Sequence, residues 1–206
     1  LGDAFLMSSR FTAGEVELAR RGLAACTAAR LDVAVGGLGL GHTAAAVLED
    51  PRVSELLVVE ALAPVIGWHR QGLVPLGKAL AGDPRCRLVQ GDFLARATGT
   101  GGLDPSTPGR RFDAVLVDID HAPGHLLHPD HATFYTTSGL KALAGHLRPG
   151  GVFALWSNEP PDEAFVAVVA AAFEEVVAHR VAFAAAASDV VATNTIYVAR
   201  TAGTAA

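Results

Sequence analysis

The stretch Val33-Ala34-Val35-Gly36-Gly37-Leu38-Gly39-Leu40-Gly41-His42-Thr43 constrains this chain more than any other. An apolar run ends in closely spaced glycines, and an Ala-rich, helix-compatible segment follows. The next apolar run, Leu56-Leu57-Val58-Val59, ends in Glu60. That order is the layout of a nucleotide-binding βαβ unit. Glycines let the backbone approach a ligand closely, and a carboxylate one strand later can hold ribose hydroxyls. A flexible turn and a helix cap are the plainer readings of the same residues. Position favours an adenosine-containing cofactor and leaves its identity open.

Length and composition agree with one globular domain. The chain has 206 residues, half of them apolar and 18% charged, enough for a real core and too apolar for a disordered chain. No apolar run reaches the roughly 18 residues that span a bilayer. The start, Leu1-Gly2-Asp3-Ala4-Phe5-Leu6-Met7, reads as a trimmed terminus rather than a signal peptide. A net charge of −5 without a Lys/Arg cluster argues against nucleic acid as a partner. Cys26 and Cys86 stand apart, as free thiols of a reduced, cytoplasmic protein would.

Along the chain, Thr12 and Glu15 have capping-box spacing, with Phe11 and Val16 at the staple positions, so a helix is expected from there to about Ala29. Residues 1–30 thus form an N-terminal helical segment packed on a core of residues 31–206. Strands are predicted at 32–35, 55–59, 86–89, 112–117 and 152–156. Helices are predicted at 42–48, 76–80, 134–147 and 162–175. Leu62–Gln71 reads as helix interrupted near Pro64 and Gly67, and residues 98–109 as a surface loop rich in Gly and Pro. Strands at 177–183 and 195–199 close the chain. Strand–helix alternation implies a parallel sheet covered on both faces. The final connection is too short for a parallel crossover, so the last pair should be antiparallel.

Open α/β sheets bind ligands outside the carboxyl ends of their strands. There the first strand offers Gly36, Gly37, Gly39 and Gly41, the second Glu60, the third Asp92 and the fourth Asp118 and Asp120. Asp92 can cap a helix or accept from an adenine amino group, with Phe93 against the ring. Asp118 and Asp120, two apart in an extended segment, should point the same way and form a carboxylate pair suited to a cation or to base catalysis. His121, His125, His128 and His131 crowd the following loop, whose Pro and Gly breaks give no fixed metal-ligand face. They read as a lid over an acceptor, with His121 foremost. Tyr135 and Trp156 read equally as pocket and as core. Trp68-His69-Arg70 reads as packing and surface.

Taken in order, Gly36-Gly37-Leu38-Gly39-Leu40-Gly41, Val59-Glu60, Gln90-Gly91-Asp92, Phe112 to Asp118 and Leu147-Arg148-Pro149-Gly150-Gly151-Val152 resemble the spermidine synthases. More broadly they resemble class I S-adenosylmethionine-dependent methyltransferases. The resemblance runs from about residue 31 to 158. It implies a Rossmann-like fold with a mostly parallel seven-stranded sheet, an antiparallel last strand and helices on both faces. It also implies that the glycine loop holds the amino-acid end of S-adenosylmethionine or its decarboxylated form, Glu60 the ribose and Asp92 the adenine. Asp118 would bind or deprotonate the attacking amine. The chain departs from spermidine synthases at Leu38 and Leu40, where their loop carries an Asp that selects the decarboxylated cofactor. It departs again at Asp118-Ile119-Asp120-His121-Ala122-Pro123, where they read Asp-x-x-Asp-Pro.

These departures favour methyl transfer to a small amine or hydroxyl acceptor, with aminopropyl transfer to a polyamine next. An NAD-dependent oxidoreductase is the competing class, because Gly39-x-Gly41-x-x-Ala44 fits the dinucleotide fingerprint. A non-catalytic binding protein of this family is the third reading. A small-molecule acceptor is the expected partner, neither nucleic acid nor membrane is, and a homodimer is the assembly left open.

Overall fold

The computed structural model describes residues 12–184 and 191–203. Seven strands form one sheet: β1 (Leu31–Gly36), β2 (Val53–Glu60), β3 (Cys86–Gln90), β4 (Phe112–Val117), β5 (Leu147–Ser157), β6 (Glu175–Ala184) and β7 (Val191–Arg200). Their order is β3-β2-β1-β4-β5-β7-β6. The first five pair in parallel, and β7 runs antiparallel to both β5 and β6. The expected antiparallel ending is therefore present. The predicted connection around Ala184–Asp189 lies, beyond Ala184, outside the described residues, as does the staple residue Phe11.

Among the described residues seven α-helices precede or connect the strands: α1 (Ala13–Ala24), α2 (His42–Leu48), α3 (Ala63–Gln71), α4 (Gly77–Gly82), α5 (Phe93–Thr98), α6 (Thr137–Ala144) and α7 (Glu163–Ala170). Period-two alternation divides the strand residues between two cores. Val33, Val35, Leu56, Val58, Ala114 and Leu116 face Leu18 and Leu23 of α1, Ala44 and Val47 of α2, Ile66 of α3 and Leu80 of α4. Ala34, Leu57, Val59, Val115 and Val117 face Phe93, Leu140, Leu143 and Phe165 of α5, α6 and α7. Strands buried on both faces read as unbroken apolar runs, as the sequence shows.

Several boundaries differ from expectation for identifiable reasons. Thr12 makes no side-chain cap to α1, so the predicted capping box does not form. The helix also stops at Ala24, well short of Ala29. There the Arg52 guanidinium, held by Asp50, donates to the Leu23 and Cys26 carbonyls at 2.9 and 3.0 Å and satisfies the helix end. α3 is continuous, because Pro64 falls in its first turn, where no N–H is needed, and Gly72 ends it at φ +68°. The helix predicted at 134–147 begins at Thr137, since the Thr136 hydroxyl accepts from the Gly139 N–H, and a 3-10 turn precedes it. β5 starts five residues early, and Pro149-Gly150-Gly151 forms an irregularity inside it, with Gly150 at φ +72°.

The 98–109 segment is not wholly a surface loop. Leu103 is buried, and the Asp104 side chain has no exposure. Asp104 pairs with Arg87 and Arg110. Burial alone would raise Asp104, but the Arg87 and Arg110 guanidiniums and the Ser106 N–H hold it below the usual carboxylate range. Arg148 joins the same end of the sheet by bridging Asp32, at 2.7 Å, and Asp113. Cys26 and Cys86 are free thiols, and burial pushes both up to about 12, so neither is a thiolate at neutral pH.

Candidate active site

β1 and β4 are neighbours at the place where the strand order reverses, the position at which open α/β sheets bind ligands. Gly36 ends β1, and its carbonyl accepts from the Asp118 N–H at 2.9 Å. Gly37 takes φ +91°, and a Cβ there would lie 2.1 Å from the Asp118 carbonyl oxygen. Only glycine fits where these two strand ends meet. The loop closes through the Gly41 N–H to the Leu38 carbonyl at 2.8 Å, and α2 follows. Leu38 turns into the core, while Leu40 stays partly exposed. Of the two residues standing where a spermidine synthase places an acid, one therefore packs the interior.

Glu60 ends β2 nearly buried, with its carboxylate already oriented. One oxygen accepts from the Leu38 N–H and the other from the Leu62 N–H, both at 2.8 Å. Each oxygen keeps a further lone pair for a hydroxyl donor. Asp92 is exposed and caps α5 through the Ala95 N–H at 3.0 Å. Its capping duty is real, and its second oxygen is not used by that bond. Phe93 lies in the core, and its ring would be 2.5 Å from a Cβ on Gly36. It thus supports the loop from below, where an aromatic face against a ligand had been expected.

Asp118 follows β4 and points toward α2, where the Thr43 hydroxyl donates to it at 2.7 Å. It is half-buried by surface area yet densely surrounded by protein. Burial raises its carboxyl above the usual range, and the Thr43 hydrogen bond works against that rise. Glu15, in the first turn of α1, is pushed up to about 7 by its own burial, with the negative charge of Asp118 adding to the effect. α1 reaches the carboxyl end of the sheet because Gly14 packs tightly there. A Cβ on Gly14 would lie 2.4 Å from Trp156 Nε1 and 2.5 Å from Asn194 Oδ1. Trp156 Nε1 is buried without a hydrogen-bond partner among the described residues.

Asp118 and Asp120 do not form the expected pair. The strand ends at Val117, so the period-two argument no longer holds one residue later. The Asp120 side chain is buried and accepts from the Leu127 N–H at 2.7 Å and from the Tyr135 hydroxyl at 2.9 Å, with His131 Nδ1 at 2.8 Å. It fastens the His-rich loop to the sheet. Tyr135 packs edge-on against Phe134 and near Phe165, and its hydroxyl is pushed well above its ordinary value by burial and by Asp120. That makes it core. The His121 ring stacks on His125 with centroids 5.1 Å apart, and its backbone carbonyl accepts from the Asn158 N–H. No group of side chains among the described residues has metal-binding geometry.

Three site residues escaped sequence reasoning. Glu15 looked like a capping partner, Thr43 like an ordinary first-turn residue, and His69 like packing. His69 is fully buried, and its Nε2 lies 3.0 Å from the Gly39 carbonyl. Capping-box spacing on a helix that also carries Gly14 was the available signal for Glu15; nothing local marked the other two.

A depression of about 450 Å³ opens elsewhere, lined by Arg111, Arg148, Pro149, Phe173, Glu174 and Thr201. It belongs to the amino end of the sheet and is shallow, so the carboxyl ends of the strands remain the candidate site.

A mostly parallel seven-stranded sheet with antiparallel β7 and helices on both faces is the Rossmann-like fold of class I methyltransferases. No family profile matches the sequence. Among solved structures, the spermidine synthase from Thermotoga maritima superposes with a TM-score of 0.67 at 16% identity, over 92% of this chain and 59% of that one. The same figures hold for a spermidine synthase in complex with the transition-state analogue AdoDATO. The N-methyltransferase NodS from Bradyrhizobium japonicum WM9 superposes with a TM-score of 0.59 at 14% identity, over 91% of this chain and 94% of that one. NodS in complex with S-adenosyl-L-homocysteine gives 0.58 at the same identity, over 91% and 85%. The likeness is one of fold, and this chain spans under two thirds of the spermidine synthase chains.

Proposed function

We propose that this chain is a transferase that takes S-adenosylmethionine and moves its methyl group to an amine or hydroxyl of a small acceptor. One observation carries the reading: Asp118, raised by burial and held by Thr43, stands at the strand-order switch beside the glycine loop. A carboxyl raised above its ordinary range is the stronger base toward an acceptor's proton.

The residues fit an S-adenosyl ligand. Gly37 lets the glycine loop close onto the Asp118 backbone, and Glu60 is held ready for a ribose diol. Asp92 has a carboxylate oxygen beyond its cap bond for an adenine amino group, and Phe93 keeps Gly36 in place beneath it. When bound, the cofactor supplies an electrophilic carbon next to a sulfonium. Asp118 takes the proton released as the acceptor attacks. The protein's larger contribution is alignment of the two partners. His121 and Trp156 border the acceptor, and Asp120 with Tyr135 holds the loop that carries His121.

Aminopropyl transfer from decarboxylated S-adenosylmethionine to a polyamine is the second reading. Glu15 beside Asp118 favours it, because two carboxylates suit a cationic acceptor. Leu38 and Leu40, in place of an acid, favour methyl transfer. The antiparallel β7 speaks against a dinucleotide-binding dehydrogenase, whose sheet continues in parallel.

Calorimetry with S-adenosylmethionine, its decarboxylated form, methylthioadenosine and NAD separates these readings. S-adenosylmethionine is expected to bind best; a preference for the decarboxylated form reverses the order of the two transfers, and binding of NAD alone sinks both. Asp118→Asn is expected to lower turnover by about 10²-fold or more while cofactor affinity stays within a few-fold.

A further inference from the structure

We propose that His69 is a positioning residue that holds the glycine loop in its ligand-ready shape by donating a hydrogen bond to the Gly39 carbonyl. The inference rests on the reading of that loop as the cofactor site. A carbonyl only accepts, so the imidazole carries its hydrogen on Nε2, at 3.0 Å from Gly39. Nδ1 is buried with no partner among the described residues. For space-filling alone, an apolar side chain serves better than an imidazole with one orphaned nitrogen. What this imidazole gains is the single bond to Gly39.

The surroundings make that bond rigid. A Cβ on Gly41 would lie 2.8 Å from His69 Cε1 and 2.4 Å from Leu80 Cδ1, so the ring also packs under the second half of the loop. Behind it, a Cβ on Gly77 would lie 2.8 Å from the His69 carbonyl oxygen, so α4 closes against α3 and fixes the backbone that carries the ring. Glu60 and His69 belong to one β2–α3 unit. The first accepts from the Leu38 N–H, and the second donates to the Gly39 carbonyl. Together they fix the loop's peptide planes from both sides. Gly39 at φ +48° is free to rotate without them.

Three variants test this: His69→Phe and His69→Leu, which lack the donor at different volumes, and His69→Gln, which returns an N–H at similar reach. Without ligand, the donor-less variants should speed hydrogen exchange of the Gly41 amide by about tenfold while β2 amides stay protected. With S-adenosyl-L-homocysteine as probe, they should weaken binding about tenfold and raise the cofactor KM more than they lower kcat. His69→Gln should recover most of both. Unchanged exchange in both donor-less variants, or His69→Gln behaving like His69→Phe, would reduce His69 to packing. Wild-type protein that fails to bind the probe overturns the cofactor reading, and the exchange result still decides the role of His69.

Discussion

Glu15 and Asp118 are the residues whose chemistry is most altered by the fold. Glu15 shifts from an ordinary carboxyl to about 7, chiefly through burial and then through the charge of Asp118. A carboxyl raised in the folded state favours the protonated form. Its contribution to stability is full below the unfolded value of 4.5 and is lost as pH rises through about 7. Glu15→Gln removes the penalty of ionisation, so its Tm should exceed that of the wild type at pH 8 and match it near pH 4.5. For a chain of this size the scale is roughly 2–4 °C per kcal/mol relieved. Thermal scans across that interval check it, and a Tm difference that does not change with pH would place Glu15 in water. The sequence showed Glu15 only as one member of a Thr12–Glu15 spacing. Its burial, and the Asp118 charge that adds to it, come from residues far along the chain, which the spacing alone does not carry. The place of Asp118 at the carboxyl end of β4 was legible because it directly follows an unbroken apolar run. Asp120, two residues on, misled for the same reason, since its partners Leu127, His131 and Tyr135 are fixed only once the loop has folded.

At the scale of elements, the strands were the most readable, because burial on both faces forces unbroken apolar runs bounded by Gly, Pro and charge. Helix limits were less so, because they depend on distant caps: Arg52 at the end of α1, the Thr136 hydroxyl at the start of α6. The glycines divide by what surrounds them. Gly37 combines a left-handed backbone with a strand end 2.1 Å from the site of any Cβ. Gly37→Ala should therefore cost at least about 2 kcal/mol and displace Asp118, lowering turnover as well. Gly82, at the end of α4, has nothing within 4 Å of its Cβ position. Gly82→Ala should be neutral to stabilising, by up to about 1 kcal/mol, through the unfolded chain alone. Urea titration of the two variants, read beside activity, distinguishes a glycine required by the site from one that is merely tolerated. Equal effects would mean that the loop relaxes more readily than its contacts imply.

The molecule as a whole divides its labour between the two ends of one sheet. At the carboxyl ends stand Gly37, Glu60 and Asp118. At the amino ends Arg110 pairs with the buried Asp104, lies over the Phe112 ring at 5.0 Å and meets Glu55, while Arg148 bridges Asp32 and Asp113. Arg87 still pairs with Asp104 when Arg110 is lost, so Arg110→Ala removes one charged hydrogen bond to a buried carboxylate and should destabilise by about 1–3 kcal/mol. Affinity for an S-adenosyl ligand should stay unchanged, because the Arg110 and Arg148 pairs lie at the opposite end of the sheet from the loop. Asp104 adds a pH signature. Its carboxyl is held below the ordinary value, so its contribution is present above pH 3.8 and lost as pH falls through the folded value. Asp104→Asn should therefore flatten the acid limb of the stability curve while lowering stability at neutral pH. Asp118→Asn should do the converse, removing a raised carboxyl with little loss of stability but lowering turnover by about 10²-fold or more. Measured together by urea unfolding and calorimetry, the variants form a double dissociation. If Arg110→Ala weakened ligand binding beyond its effect on folding, the two ends would be coupled through β1 and β4, the strands that carry both Asp32 and Gly36, and both Asp113 and Val117.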